Sequence, residues 1–238
     1  MRLRIIVPFT VQERILMSNY KVAEIFSSIN GEGPRQGQLA LFIRMQGCNL
    51  DCSYCDTQWA NGEDARFHWT SAEEIMDLVR QMQIRNITLT GGEPLCQENI
   101  MELLLALAAE PWLRVEIETN GSVPLKPFAQ IQNAPSFNMD YKLPGSGMEH
   151  AMLTENFDVL SDKDTVKFVV KDYGDLQRSH DLIREYGLTD KCRVFLSPVY
   201  GEIDPEEIVN FMKDNHMNDV TMQLQIHKVI WDSRMRGV

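Results

Sequence analysis

"GCNLDCSYCDT", residues 47–57, sets three cysteines within eight positions at C-x-x-x-C-x-x-C spacing. It follows "LALFIRMQ", residues 39–46, a segment with the two-residue alternation of a strand. Phe42, Arg44 and Gln46 share one face of that strand; Leu41, Ile43 and Met45 share the other. The question this stretch poses is what a trio of thiolates, rather than a quartet, is built to hold.

Working outward, strand-like and helix-like segments alternate with short connections, the pattern of an α/β protein with a parallel sheet. Downstream of the cysteines, Thr70 or Ser71 with Glu73 or Glu74 makes a helix start, and Ile75, Leu78, Val79 and Met82 follow at helical spacing. Then come "NITLT" (86–90), a helix carrying Ile100, Leu103, Leu104 and Leu107, and "VEIET" (115–119). The beat continues through "FNMDY" (137–141), "TVKFVV" (165–170), a helix near 175–186, "RVFL" (193–196), a helix opened by Pro205, and "VTMQLQIH" (220–227). About six or seven parallel strands make either an open doubly wound sheet or a whole or partial barrel. Both put chemistry at the carboxyl ends of the strands, where "TGGEP", "ETNG", "DYK" and "SPVY" fall.

Composition narrows the function. The chain has 238 residues, 44% hydrophobic and 24% charged, enough for a full core. No apolar run approaches the ~20 residues that span a bilayer, so no membrane partner is expected and a cytoplasmic protein is. A net charge of -11 argues against nucleic acid as the main ligand. Arg2, Arg4, Arg14, Arg234 and Arg236 at the two ends read as solvated surface. Residues 1–16 show no clear period and are expected to be a leader, with Met17 the natural start and 17–238 a single catalytic domain.

Five cysteines, three of them crowded, suit a reducing compartment. A fourth cysteine would complete a structural zinc site or a fully ligated cluster. Three leave one iron of a [4Fe-4S] cluster open, and the alternatives are a zinc loop completed by a distant His, Asp or Cys96, or three free thiols. Gly91 and Gly92 let backbone approach a ligand, with Glu93 an acceptor for an ammonium. Glu116 and Glu118 share a face of an otherwise apolar strand, which requires polar partners such as a ligand's hydroxyls or a lysine. Alternation along residues 220–227 puts Gln223, Gln225 and His227 on one face, taken as the site face.

The cysteine loop, with Tyr54 before Cys55, resembles the signature of the radical S-adenosylmethionine superfamily, and "TLTGGEP", "EIETNG", "DYK" and "SPVY" match it in chain order. That resemblance implies a partial, open TIM-like barrel of the radical SAM type with about six core parallel strands. The segment "EIFSSINGEGPRQGQLALFIRMQGCNLDCSYCDT" (24–57), with "MDYKLPGSG", "FLSPVYG" and "LQIHKVIW", is similar to the 7-carboxy-7-deazaguanine synthase family. The implied reaction is a ring contraction of 6-carboxy-5,6,7,8-tetrahydropterin with loss of ammonia, begun by a 5'-deoxyadenosyl radical from S-adenosylmethionine. A glycyl-radical activating enzyme and a non-catalytic iron-sulfur or zinc protein are the alternatives.

The family's roles transfer position by position. Cys48, Cys52 and Cys55 are the implied cluster ligands and Thr57 the implied Mg2+ ligand. Tyr54, Cys55, Asp56, Gly92, Glu93 and Glu118 are implied cofactor contacts, as are the stretches Asp140, Tyr141, Lys142 and Ser197, Pro198, Val199, Tyr200. For the pterin substrate the positions are Ile29, Asn30, Gly31, Glu32, Arg44, Thr90 and His227. Asn30 stands where many relatives have Gln, and Arg44 suits a carboxylate through its planar fork. Some relatives end soon after the His-Lys pair and place a terminal carboxylate near the substrate; this chain continues through "VIWDSRMRGV", so Val238 is the weakest-supported of the implied substrate-binding positions. The resemblance also implies a homodimer and a flavodoxin- or ferredoxin-type reductant.

Overall fold

The computed structural model describes residues 18–62, 64–232 and 235–238. The expected leader and the Met17 start lie outside the described residues. Nine strands form one sheet: β1 (Asn19–Ile29), β2 (Leu39–Met45), β3 (His68–Ser71), β4 (Asn86–Gly91), β5 (Arg114–Thr119), β6 (Ser136–Asp140), β7 (Thr165–Val170), β8 (Arg193–Pro198) and β9 (Val220–Met222). Their order is β3-β1-β2-β4-β5-β6-β7-β8-β9. β1 runs antiparallel to both β2 and β3, and from β2 onward each neighbour is parallel. The sheet does not close on itself, so the architecture is an open, partial barrel.

Alternation explains the two faces. Leu41, Ile43 and Met45 of β2, Ile87 and Leu89 of β4, and Val166 and Phe168 of β7 are almost fully buried under the helices. Each such side chain is worth about 1.5–3 kcal/mol of burial. The opposite face carries Phe42 and Arg44 of β2, Glu118 of β5, Asp140 of β6, and Lys167 and Val169 of β7, all of which face one cavity. Among the helices are α1 (Gln58–Asn61), α2 (Ala72–Met82), α3 (Ile100–Ala108), α4 (Tyr173–Tyr186), α5 (Pro205–Asp214) and α6 (His227–Ile230). α2 begins with the expected box: the Ser71 hydroxyl accepts from the Glu74 amide, and the Glu74 carboxylate accepts from the Ser71 amide. Pro205 occupies the first turn of α5, where its missing N–H costs nothing.

The expected strand over 220–227 is corrected by the structure: β9 stops at Met222. The Gln223 amide still bonds the Leu196 carbonyl, but its side chain turns to Gly33, donating to the carbonyl at 3.0 Å and accepting from the amide at 2.8 Å. Ile226 N–H then bonds the Gly31 carbonyl at 3.1 Å, and α6 starts at His227. The loop after β1 is thereby stitched to the segment after β9, across the gap the sheet leaves open.

Candidate active site

Strand ends and loops surround a cavity of about 690 Å³. Cys48, Cys52 and Cys55 line it from the loop after β2, with Tyr54, Asp56 and Thr57 beside them. The loop is fixed by its neighbour. Glu93 N–H bonds the Gly47 carbonyl at 3.0 Å, and a Cβ on Gly92 would lie 2.0 Å from that same oxygen and 2.7 Å from Cys48 Cβ. Only glycine permits this approach.

Donors converge on the sulfurs. Leu50 N–H lies 3.4 Å and Asn120 Nδ2 3.7 Å from Cys48 Sγ, and Asn61 Nδ2 lies 3.4 Å from Cys55 Sγ. Burial pushes the Cys48 thiol up and the Cys52 thiol up to about 11. A buried thiol of this kind becomes a thiolate when a metal takes the proton's place. Among the described residues, no three His, Cys, Asp or Glu groups converge to hold one metal ion. Three thiols fanned along one loop, each open to the cavity, suit one ligand per iron of a cluster.

Facing the loop lies a network of buried charge. Lys167 Nζ is 3.1 Å from Glu32 Oε2, 3.7 Å from Asp140 Oδ2 and 4.0 Å from Glu118 Oε2. Lys142 Nζ is 2.8 Å from Asp140 Oδ2. Burial opposes the charge on Asp140, but Lys142 and Lys167 hold its carboxyl below the usual range. Burial dominates at Glu118 and raises it to about 8 despite Lys167. Burial likewise opposes the Lys167 charge, yet Glu32, Asp140 and Glu118 hold its pKa well above the ordinary value. Asn30 Nδ2, Glu32 Oε1 and Asp140 Oδ1 are buried with no hydrogen-bond partner among the described residues, as expected of groups that wait for a polar ligand.

A third wall is aromatic and basic. Phe26 and Phe42 stack at 4.9 Å and 5° between ring planes. Arg44 Nε bonds Glu24 Oε1 at 2.8 Å, the cross-strand partner set by β1–β2 register. Trp59, on α1, lies 6.0 Å from the Arg44 guanidinium and 4.2 Å from that of Arg236. Lys228 Nζ sits 3.0 Å from Asp56 Oδ2, tying α6 to the cysteine loop. His227 packs against Gly31 so tightly that a Cβ there would fall 2.0 Å from Nδ1, and burial lowers the imidazole's pKa.

The structure brings most of the sequence candidates together. Ile29, Asn30, Gly31, Glu32, Arg44 and Thr90 line the cavity with His227 and Val238, and so do Gly92, Glu118, Asp140, Lys142, Val199 and Tyr200. Four do not line it. The Glu93 carboxylate is fully buried and accepts from Leu95 N, Thr119 Oγ1 and Asn120 N, so it braces two loops instead of meeting an ammonium. Tyr141 turns into the core against Phe157 and Phe168, Ser197 is fully buried, and Pro198 borders a smaller neighbouring cavity. Lys167, Trp59, Lys228 and Arg236 escaped the sequence reading. The solvated-surface reading of Arg236 is extended: the residue is exposed, as expected, but it also lines the cavity and lies over the Trp59 ring.

Residues 42–145 match the Radical SAM superfamily, a match that implies a [4Fe-4S] cluster and S-adenosylmethionine. A 7-carboxy-7-deazaguanine synthase of Clostridium acetobutylicum is 55% identical over 220 residues, covering 92% of this chain and 100% of that protein. Synthases of the same name from Methanospirillum hungatei and Leptospira interrogans are 37% and 33% identical, over 90% and 93% of this chain. The crystal structure of QueE from Escherichia coli shares the fold at a TM-score of 0.71 and 18% identity, over 92% of this chain and 99% of that one. Identity of this extent, across a chain whose three thiols, glycine-braced loop and buried charges meet at one cavity, places the protein in the 7-carboxy-7-deazaguanine synthase family.

Proposed function

We propose that this chain converts 6-carboxy-5,6,7,8-tetrahydropterin to 7-carboxy-7-deazaguanine and ammonia. The observation that carries the reading is the meeting of Cys48, Cys52 and Cys55 with Asn30, Arg44, Thr90 and His227 around one cavity. Bound there, the cluster and S-adenosylmethionine supply the radical that starts the ring contraction. The protein's own part is to bind, orient and exclude water.

Cys48, Cys52 and Cys55 hold the cluster, and the N–H donors of Leu50, Asn120 and Asn61 support their thiolates. Asp140, Lys142 and Glu118 contact the cofactor, together with the backbone at Gly92 and at Val199–Tyr200. Asn30, Glu32, Thr90 and His227 orient the pterin against the Phe26–Phe42 wall. Thr57 ligates Mg2+. Although it precedes α1, its side chain makes no cap hydrogen bond; the hydroxyl lies 3.5 Å from Cys55 Sγ and retains lone pairs for a hard cation. A homodimer, a flavodoxin- or ferredoxin-type reductant, a cytoplasmic setting and a single catalytic domain over 17–238 complete the proposal. One hydrophobic core running beneath the sheet supports the single domain. Among the described residues no helix is long and apolar enough to cross a membrane.

The test is turnover by anaerobically reconstituted protein with reductant, S-adenosylmethionine and the carboxytetrahydropterin, with products read by mass. The deazaguanine acid and an equivalent of ammonia are expected. Cofactor cleavage without that acid would remove the substrate assignment, and failure to cleave the cofactor would remove the radical reading.

A further inference from the structure

The cavity's charges divide almost evenly, and most are already matched. Lys142 faces Asp140, Lys167 faces Glu32, Lys228 faces Asp56 and Arg44 faces Glu24. The remaining acidic side chain, Glu118, lies 4.0 Å from Lys167, and its burial favours the protonated, neutral form. Arg236, an exposed residue on the cavity lining, makes no ion pair with a carboxylate among the described residues. Its guanidinium instead lies over the Trp59 ring at 4.2 Å, on the side of the cavity where Arg44 approaches the same ring.

Stacking leaves a guanidinium's N–H edge free, so a group held by its face on an indole still offers a planar fork to a carboxylate. Arg44 is less available, because Glu24 takes its Nε and neutralises its charge. An anionic heteroaromatic entering beside Phe26 and Phe42 therefore meets Arg236 as the positive charge left unmatched among the described residues. We infer that Arg236, seated on Trp59, determines specificity for the carboxylate of the substrate. The inference rests on the pterin reading above and assigns to the segment beyond α6 a role in choosing an acid over its uncharged analogue.

Two bound molecules carry a carboxylate, the pterin acid and the methionyl end of the cofactor, and the experiment separates them. Reconstituted protein with an oxidised cluster, which does not turn over, is titrated with three probes. They are S-adenosylmethionine, 6-carboxytetrahydropterin and the same tetrahydropterin without its carboxylate. In Arg236→Gln, the acid is expected to bind roughly tenfold or more weakly, while the uncharged pterin and the cofactor stay within about twofold of wild type. Arg236→Lys, which keeps the charge and loses the flat stacked fork, should fall between the two proteins.

Equal weakening of both pterins would make Arg236 merely structural and overturn the inference. Weakening of the cofactor alone would assign the guanidinium to the methionyl carboxylate and overturn it too, as would no change. A wild-type protein that binds neither pterin would sink this inference together with the proposed function. Wild-type turnover alongside an indiscriminate Arg236→Gln would sink the inference alone.

Discussion

Lys167 Nζ stands 3.1 Å from Glu32 Oε2, joining a strand in the middle of the sheet to the loop that follows β1. The same ammonium reaches Asp140 and Glu118, so one buried cation meets acidic side chains from three separate segments. Lys167→Met should cost about 3–5 kcal/mol near neutral pH, because carboxylates left without a buried partner lose more than the pair's net worth. The sign with pH follows from Asp140. Its carboxyl is held low in the folded protein, so its contribution is present at neutrality and lost as pH falls through the folded value. The gap between wild type and variant, measured by urea unfolding, should therefore narrow in acid; a gap that widened would contradict this account.

Glu118 titrates in the opposite sense. Burial raises its carboxyl from the ordinary 4.5 to about 8, so the folded state binds a proton that the unfolded chain has released. Stability from this group then falls as pH rises through that window and levels off above it. Glu118→Gln removes the dependence, and the urea midpoint of the variant minus that of wild type should climb between about pH 5 and 8. A flat difference would show that the Lys167 field outweighs burial.

Gly92→Ala tests the brace on the cysteine loop. The new Cβ would meet Gly47's carbonyl at 2.0 Å, and backbone on both sides cannot rotate away. Overpacking of this kind costs about 1–3 kcal/mol, spent here on displacing Cys48. The expected outcome is a folded protein with markedly lower iron and sulfide content after reconstitution; full cluster loading would mean that the loop adapts freely.

Thr57→Ala should leave cluster content and the charge-transfer absorbance unchanged while removing the stimulation of turnover by added magnesium. A variant with the wild-type magnesium response would exclude the hydroxyl as a ligand.

Ser71→Ala serves as a probe remote from the chemistry. Losing one half of the capping box at α2 should cost about 1 kcal/mol, seen in thermal or urea unfolding. A change in cofactor binding would show that α2 couples to the cavity.

Local chemistry made much of this protein legible. The C-x-x-x-C-x-x-C run, the glycine pair at 91–92 and the alternation of β2 each act within a few residues, so reading them needs no knowledge of distant contacts. Long-range contacts account for the misses. Lys167 sits in "TVKFVV", where the sequence shows a lysine interrupting an apolar run but not the three carboxylates that make it tolerable. His227 was placed on the right wall for the wrong reason. Gln223 abandons the strand for Gly33, a partner that no local pattern could name. Glu93 was read as a ligand acceptor because the motif displays a carboxylate, yet the Asn120 amide claims it first. Arg236 is exposed as its place in the tail suggests, but the ring it lies over is far back in the chain, so its contact with the cavity wall is not legible locally.

The paired bonds between Gly33 and Gln223 span 190 positions of sequence. Closing so long a loop sacrifices chain entropy before any contact repays it. No nascent fragment that stops short of Gln223 can make either bond, even when its cysteine loop and first strands have already emerged from the ribosome. During synthesis the half that carries Cys48, Cys52 and Cys55 thus exists for a time without the wall that His227 completes. The order of translation therefore leaves the cavity's last wall to be built only when both ends of the chain are present.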